Sequence, residues 1–158
     1  MDITDASAIV TGGASGIGAA TARLLSERGA KVVIADLQED RGRALADDIG
    51  GVFAKLDVTA TDTIIAAVEL AKDIGPLRVL VNSAGVGSAQ RTVGRDGTYA
   101  SAASLEAYSR IIAINLIGTF DCIRLAATAM STTPALEHGE RGAIVNLASV
   151  AAFDGQIG

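Results

Sequence analysis

The stretch Ala8-Ile9-Val10-Thr11-Gly12-Gly13-Ala14-Ser15-Gly16-Ile17-Gly18 decides the fold of this chain. It begins with an apolar run typical of a β-strand, passes through a glycine-rich turn and leads into residues 19–25, which predict a helix. Glycine lets a backbone come close to a bulky anion, and a helix start offers unpaired N–H groups and the positive end of its dipole. The order strand, glycine turn, helix therefore predicts a site for the diphosphate of a dinucleotide.

A carboxylate at the end of the next strand-like run indicates the kind of dinucleotide. The run Lys31-Val32-Val33-Ile34-Ala35 ends in Asp36, and an acid at this place can accept hydrogen bonds from both hydroxyls of an adenosine ribose. Neither Ala14 nor Ser15 is basic, so the turn does not favour a 2′-phosphate, and we expect NAD rather than NADP. Ser15 is expected to cap the helix, a role compatible with touching a phosphate. The cofactor-binding residues predicted from these two motifs are Gly12, Ser15, Gly16, Ile17, Gly18 and Asp36.

The length and composition of the chain limit the classes of protein to which it can belong. The 158 residues, 49% of them hydrophobic, are expected to form one NAD-binding Rossmann domain over residues 1–158. A net charge of −5 argues against general nucleic-acid binding, because such a surface repels a phosphate backbone. The single Cys122 cannot form an intrachain disulfide, the N-terminus has no signal-type segment, and no apolar run approaches the roughly 20 residues of a membrane span. We therefore expect a cytoplasmic protein with neither membrane nor nucleic-acid partners.

Strand-like and helix-like runs alternate along the chain. This pattern predicts an α/β fold, a Rossmann-like doubly wound parallel sheet with the strand order 3-2-1-4-5. The strand runs are continuously apolar, as expected when both faces of a parallel sheet are covered. The predicted strands are residues 6–11, 31–36, 52–55, 79–82 and 143–148, and the predicted helices are residues 16–28, 39–49, 61–74 and 105–130.

Two further motifs follow predicted strands. Asp57 and Val58 come after the third strand, where the carboxylate can accept from an adenine amino group and the valine can pack on the ring; Asp57 or Thr59 can instead cap the next helix. The run Asn82-Ser83-Ala84-Gly85 ends the fourth strand, and its small residues leave space for a ribose or nicotinamide. Asn82 is expected to hold neighbouring backbone groups.

Three positions leave alternatives open. Asn115 lies in an apolar stripe of the long helix, and we expect a buried amide that is satisfied within the core or that holds a water in a proton path. Ser149 follows the fifth strand, where its hydroxyl can bond a substrate carbonyl or cap a helix. Residues 85–101 form a substrate loop or a tolerated insertion. Cys122 is expected to pack between helices, and His138 has no evident metal or base role.

These motifs together resemble the short-chain dehydrogenase/reductase family. Within it, residues 114–120 and 141–156 are similar to the type-2 3-hydroxyacyl-CoA dehydrogenase group, which includes hydroxysteroid dehydrogenases. The resemblance implies oxidation of a secondary alcohol to a ketone with NAD, a substrate oxygen oriented by Ser149, a water positioned by Asn115, and a tyrosine acid/base assisted by a lysine. It also implies a homotetramer that uses the long helix. The residues that carry the resemblance are Thr11–Gly18, Asp36, Asp57, Val58, Asn82, Ser83, Ala84, Gly85, Asn115 and Ser149.

The sequence departs from the family pattern in one respect. The family's Tyr-x-x-x-Lys pair follows the serine closely, but here Tyr99 precedes Ala103 and Tyr108 precedes Ile112 at that spacing. We expect an amino-terminal part of a longer oxidoreductase that is nearly inactive alone. The alternative is a short non-catalytic module that binds or senses NAD.

Overall fold

The computed structural model describes residues 1–155 and contains a five-stranded parallel sheet in the order β3-β2-β1-β4-β5. The predicted α/β fold and strand order are confirmed. The end of the 141–156 segment lies outside the described residues. The strands are β1 (Ser7–Thr11), β2 (Lys31–Asp36), β3 (Val52–Lys55), β4 (Leu77–Asn82) and β5 (Ala143–Asn146).

Helices connect the strands and cover the two faces of the sheet. Short turns join the first three helices to their strands, whereas a long irregular segment with a 3₁₀ turn, Tyr99–Ser101, leads from β4 into the later helices. A π-helical segment, Ala113–Gly118, joins two of these helices. The helices are α1 (Gly16–Glu27), α2 (Glu39–Ile49), α3 (Thr61–Ile74), α4 (Leu105–Ile112), α5 (Thr119–Thr132) and α6 (Ala151–Asp154).

The apolar strand residues point alternately into two cores. Ile9 and Val33 are paired in register and lie in a cluster with residues of α3 and α5. Val10 and Ile34, the next pair along the same strands, lie in a second cluster with residues of α1 and α2. Because side chains alternate along a strand and both faces are covered, the strands are apolar throughout. This packing places the carboxyl ends of the strands at one edge.

The helical run from Tyr99 to Thr132 corrects one expectation from the sequence. Within residues 1–155, this 34-residue run is long and apolar enough to cross a membrane by length and composition alone. The predicted helix over residues 105–130 already covers most of this run, but charged residues such as Asp121 and Arg124 interrupt its apolar stretches, so the sequence showed no unbroken apolar run. One side of α5 packs into the core through Cys122, Ala126 and Met130, and 17% of the apolar window in this run is buried.

The opposite side of this helix and the edge strand expose apolar side chains. Phe120 on α5 is 62% exposed, and Leu116 and Ile117 in the π-helical segment are similarly open. Val145 on β5, an edge strand of the described sheet, is also exposed. The described sheet therefore has an open apolar edge strand at β5 and an exposed apolar face on the helix beside it.

Candidate functional site

A cleft of about 500 Å³ lies at the carboxyl edge of the sheet. It brings together most of the residues predicted to bind a cofactor, from the glycine turn, the end of β2, the β3–α3 connection and the end of β4. Gly18, Asn82, Asn115 and Ser149 do not line it. The lining residues are Gly12, Ser15, Gly16, Ile17, Asp36, Leu37, Gln38, Leu56, Asp57, Val58, Ser83, Ala84, Gly85, Val86, Arg110, Ile114 and Leu147.

The glycine turn is packed too tightly on one side for any other residue. A Cβ on Gly12 would lie 2.7 Å from the backbone nitrogen of Ala84, and Gly12 also has a positive φ of 63°. A Cβ on Gly18 would collide with the carbonyl oxygen of Gly12. Gly16 has a φ of 52° but would meet nothing within 4 Å, so the turn is open on the side that faces the cleft. The backbone thus forms a cradle with room for a phosphate group.

Ser15 occupies the N-cap position of α1 with extended backbone angles. The expected cap position is therefore confirmed, but within the described residues the Ser15 side chain makes no capping hydrogen bond. The first turn of α1 contains no acidic residue. The Ser15 hydroxyl and the first N–H groups of the helix are therefore available to an anion in the cleft.

Asp36 is held in a fixed orientation at the end of β2. It is only 8% exposed, and its Oδ2 accepts a hydrogen bond of 3.0 Å from the backbone N–H of Ala14. Its Oδ1 accepts another of 2.9 Å from the backbone N–H of Gln38. Each carboxylate oxygen can accept a further bond, so the group suits a pair of ribose hydroxyls.

Asp57 uses its carboxylate locally. Its Oδ1 accepts from the backbone N–H of Thr59 at 2.9 Å and from the Thr59 hydroxyl at 2.7 Å. These bonds lower the pKa of Asp57, and the positive charge of Arg110 lowers it further. The N-cap of α3 is Ala60, so neither Asp57 nor Thr59 occupies the cap position that the alternative interpretation proposed.

Val58 lies deeper in the same connection. It is 8% exposed and belongs to the core cluster, and a Cβ on Gly118 would lie 2.8 Å from its side chain. The missing side chain at Gly118 therefore lets the π-helical segment approach the β3–α3 connection. That approach brings α4 to one wall of the cleft.

Asn82 joins the ends of two strands by its side chain. Its Nδ2 donates to Oδ1 of Asn146 at 2.8 Å, and its backbone oxygen accepts from the N–H of Leu147 at 3.0 Å. The expectation that its side chain holds backbone groups is therefore wrong. Asn82 is 4% exposed, and its Oδ1 has no hydrogen-bond partner within the part of the chain that the structure describes.

Asn115 is exposed, so the predicted buried amide is wrong. Its Oδ1 accepts from the backbone N–H of Val86 at 2.9 Å, and its Nδ2 donates to the backbone oxygen of Val86 at 2.8 Å. Gly85 lies beside this pair, where an added Cβ would be 3.4 Å from the Asn115 oxygen. Asn115 thus fixes the chain where it leaves β4.

Ser149 lies beyond the end of β5 and outside the cleft lining. It is exposed, and its hydroxyl accepts from the backbone N–H of Ala151 at 3.2 Å, at the start of α6. The N-cap of α6 is Val150, so Ser149 makes a local hydrogen bond at the helix start without occupying the cap position that the alternative proposed. Leu147, two residues earlier, does line the cleft, which places Ser149 near the rim.

The connection from β4 to α4 has its own network of hydrogen bonds. Asp96 accepts from the side chains of Thr98 and Ser101, and these bonds hold its pKa below the ordinary value, with the Ser101 hydroxyl as the largest contributor. Gln90 accepts from the N–H of Ser104 at 3.2 Å. This order is compatible with a substrate loop and with an insertion.

Two contributions to the site were not predicted from the sequence: the contacts of Thr11, a residue of the predicted motif, and the presence of Arg110 in the cleft. Thr11 is buried, and its Oγ1 accepts from the backbone N–H groups of Ser83 and Ala84, both at 3.2 Å, tying the glycine turn to the end of β4. A hydroxyl as the last residue of β1 was the available signal. Arg110 lines the cleft from α4, and no local sequence feature marks it.

Cys122 and His138 lie away from the cleft. Cys122 is 1% exposed within the core, as expected, and burial, with Asp121 nearby, raises the pKa of its thiol to about 12. His138 is exposed. Within residues 1–155 there is no group of three His, Cys, Asp or Glu side chains able to hold a metal ion.

The chain belongs to the short-chain dehydrogenase family, whose model matches residues 6–158. It is 46% identical over 159 residues to a 3-hydroxyacyl-CoA dehydrogenase type-2 of Drosophila melanogaster, covering 99% of this chain and 62% of that protein. The Homo sapiens protein of the same name is 43% identical, with 96% and 58% covered. A crystal structure of a 3-hydroxyacyl-CoA dehydrogenase type-2 from Mycobacterium avium has a TM-score of 0.92 and 44% identity, covering 98% of this chain and 61% of that one.

The chain thus spans about 60% of the length of these relatives. Members of the family are oxidoreductases that use NAD(P) and act on small molecules. The cleft fits such a cofactor by two observations. The backbone cradle at Gly12 and Gly16 has no room for a side chain on one side and is open on the other, and Asp36 is fixed at the end of β2.

Proposed function

We propose that the protein containing this chain is an NAD-dependent oxidoreductase that oxidises a secondary alcohol to a ketone. The observation that carries the proposal is the orientation of Asp36, whose oxygens are fixed by the backbone N–H groups of Ala14 and Gln38 beside the glycine turn. A buried carboxylate there suits two ribose hydroxyls and repels a 2′-phosphate. The relatives named 3-hydroxyacyl-CoA dehydrogenase support 3-hydroxyacyl-CoA as the substrate, and the family resemblance adds hydroxysteroids.

The proposed cofactor contacts follow the walls of the cleft. The N–H groups at the start of α1, with Ser15, would hold the diphosphate, and Asp36 would hold the adenosine ribose. Asp57 and Val58 would meet the adenine. The small residues Ser83, Ala84 and Gly85 would leave room for the nicotinamide ribose, and Gly18 would act indirectly, by letting the first turn of α1 pack on Gly12.

The proposed catalytic residues are Ser149 and Asn115. A nicotinamide cofactor bound in the cleft would supply the acceptor for a hydride from the alcohol carbon. The Ser149 hydroxyl, at the rim of the cleft, would donate to the substrate oxygen and orient it. Asn115 would shape the entrance by holding Val86, and its remaining hydrogen-bonding capacity would position a water.

Proton removal from the alcohol is proposed to need the family's Tyr-x-x-x-Lys pair. Neither Tyr99 nor Tyr108 has a lysine four positions later. The exposed apolar faces of α5 and β5 are proposed to be covered in the whole protein, α5 in a homotetramer.

The test compares the 158-residue chain with the full open reading frame. Calorimetry should show NAD binding by both proteins, with weaker binding of NADP. Only the longer protein should oxidise a 3-hydroxyacyl-CoA with formation of NADH. No NAD binding by either would contradict the proposal. NAD binding without turnover by the longer protein on any secondary alcohol would favour the non-catalytic module.

A further inference from the structure

The cleft contains one positive side chain whose role the proposed mechanism leaves open. Among the described residues that line it, Arg110 is the only lysine, arginine or histidine. Arg110 lies near the end of α4, and Ile114, four residues later and on the same side of a helix, also lines the cleft. One helical side thus forms a wall of the site.

The position of Arg110 along the cleft is set by its neighbours. The helix containing it approaches the β3–α3 connection because Gly118 has no side chain at the contact with Val58. Arg110 is close enough to Asp57 for its charge to act on that carboxylate, after the stronger hydrogen bonds from Thr59. The helical wall that carries Arg110 therefore meets the end of the cleft assigned to adenine, which is formed by the β3–α3 connection.

Arg110 is also free of competing ion pairs. Within residues 1–155, the ion pairs of the structure do not include it, and its side chain is exposed. Arg124, on the same helical run, is by contrast 2.6 Å from Oδ1 of Asp121. An unpaired guanidinium on the wall of an apolar cleft is well suited to packing on the face of an aromatic ring.

We propose that Arg110 is a binding residue for the adenine of the dinucleotide, and that its planar guanidinium stacks on the outer face of the ring. Asp57 would read the edge of the base through its amino group, whereas Arg110 would hold its face. Stacking on a face does not depend on the exocyclic amino group. The inference rests on the proposed binding of NAD in this cleft.

The binding of three ligands to the full-length protein distinguishes a contact with the face of the adenine ring from a contact with its edge. NAD carries adenine, nicotinamide hypoxanthine dinucleotide lacks the amino group, and nicotinamide mononucleotide lacks the adenosine half. Arg110→Met should raise the Kd of NAD and of the hypoxanthine analogue equally, by about three- to tenfold, and leave nicotinamide mononucleotide unchanged. Asp57→Asn should weaken NAD more than the hypoxanthine analogue. Arg110→Lys should lie between wild type and Arg110→Met.

The controls make each outcome decisive. Arg28→Met removes an exposed arginine outside the cleft and should leave all three Kd values unchanged. Circular dichroism of each variant verifies folding, and Arg110→Gln replaces Arg110→Met if that protein is unfolded. If Arg110→Met weakened the binding of NAD but not of the hypoxanthine analogue, Arg110 would act through Asp57 and the stacking contact would be overturned. An unchanged Kd for NAD would overturn it as well. If the wild-type protein failed to bind NAD, the proposed function would be overturned as well. Failure of the stacking contact alone is thus distinguishable from failure of the proposed function.

Discussion

The backbone N–H of Ala14 donates a 3.0 Å hydrogen bond to Oδ2 of Asp36, joining the glycine turn to the end of the second strand. The carboxylate proposed to select the cofactor therefore also shapes the turn that would hold its diphosphate. Thr11 makes a similar link on the other side, to the end of β4. Hydrogen bonds thus connect the ends of β1, β2 and β4 at the cleft, and the geometry of these three strand ends is coupled.

Two of the four glycines of the turn, Gly16 and Gly18, should respond differently to substitution by alanine. Gly18→Ala places a methyl group against the carbonyl oxygen of Gly12, which is backbone and cannot move alone, so we expect a loss of about 1–3 kcal/mol in the free energy of unfolding. Gly16→Ala meets nothing within 4 Å and suffers only from the positive φ of 52°, at about 1 kcal/mol. Urea denaturation measures both, and a Gly16→Ala loss larger than that of Gly18→Ala would contradict the packing.

Removing the Asn115 side chain should loosen the start of the loop. Asn115→Ala deletes both bonds to the backbone of Val86, and we expect the Val86 amide to exchange its hydrogen about tenfold faster or more. Ser131→Ala, which removes one exposed bond to Thr128 in α5, is the matched control and should leave Val86 unaffected. Equal hydrogen-exchange rates of the Val86 amide in the wild type and in Asn115→Ala would show that the two hydrogen bonds between Asn115 and Val86 do not hold the loop.

The thiol of Cys122 should be inert while the protein is folded. Burial raises its pKa from an ordinary 9.0 to about 12, so the neutral thiol is favoured in the native state. The corresponding stability is fully present below pH 9 and is lost as the pH rises toward about 12, because the unfolded chain then releases a proton that the folded chain retains. A thiol reagent at pH 8 should label Cys122 only in denaturant. Rapid labelling of the native protein would contradict its burial.

The sequence alone predicted the bounds of those strands and helices whose residues follow a regular local pattern. The predicted β2 and α3 have the bounds of the structure, since continuous apolar runs and helical spacing end at clear turn residues. The bounds of β5 were less accurate. It ends at Asn146 rather than at residue 148, because the chain turns toward α6 after Leu147, whose N–H still donates to the backbone oxygen of Asn82.

The arrangement of the candidate site depends on contacts between residues that are far apart in the sequence, and the local spacing of residues does not reveal such contacts. Asn115 was placed in an apolar stripe by counting along a regular helix, but the π-helical segment Ala113–Gly118 changes that count and the residue is exposed. Its partner, Val86, is distant in sequence. Arg110 was missed for the same reason, since its place in the cleft depends on the close approach of Gly118 and Val58.

The central claim is tested most directly by the affinities of the full-length protein for NAD and NADP before and after Asp36→Ala. Loss of the carboxylate should weaken the binding of NAD by about 10- to 100-fold. The affinity for NADP, whose 2′-phosphate the carboxylate repels, should change by less than about threefold. Any disturbance of the turn through Ala14 would affect both cofactors alike, and Asp40→Ala, an exposed acid in the first turn of α2, should affect neither. Equal losses for NAD and NADP, or no loss for NAD, would contradict the assignment of Asp36 to the ribose.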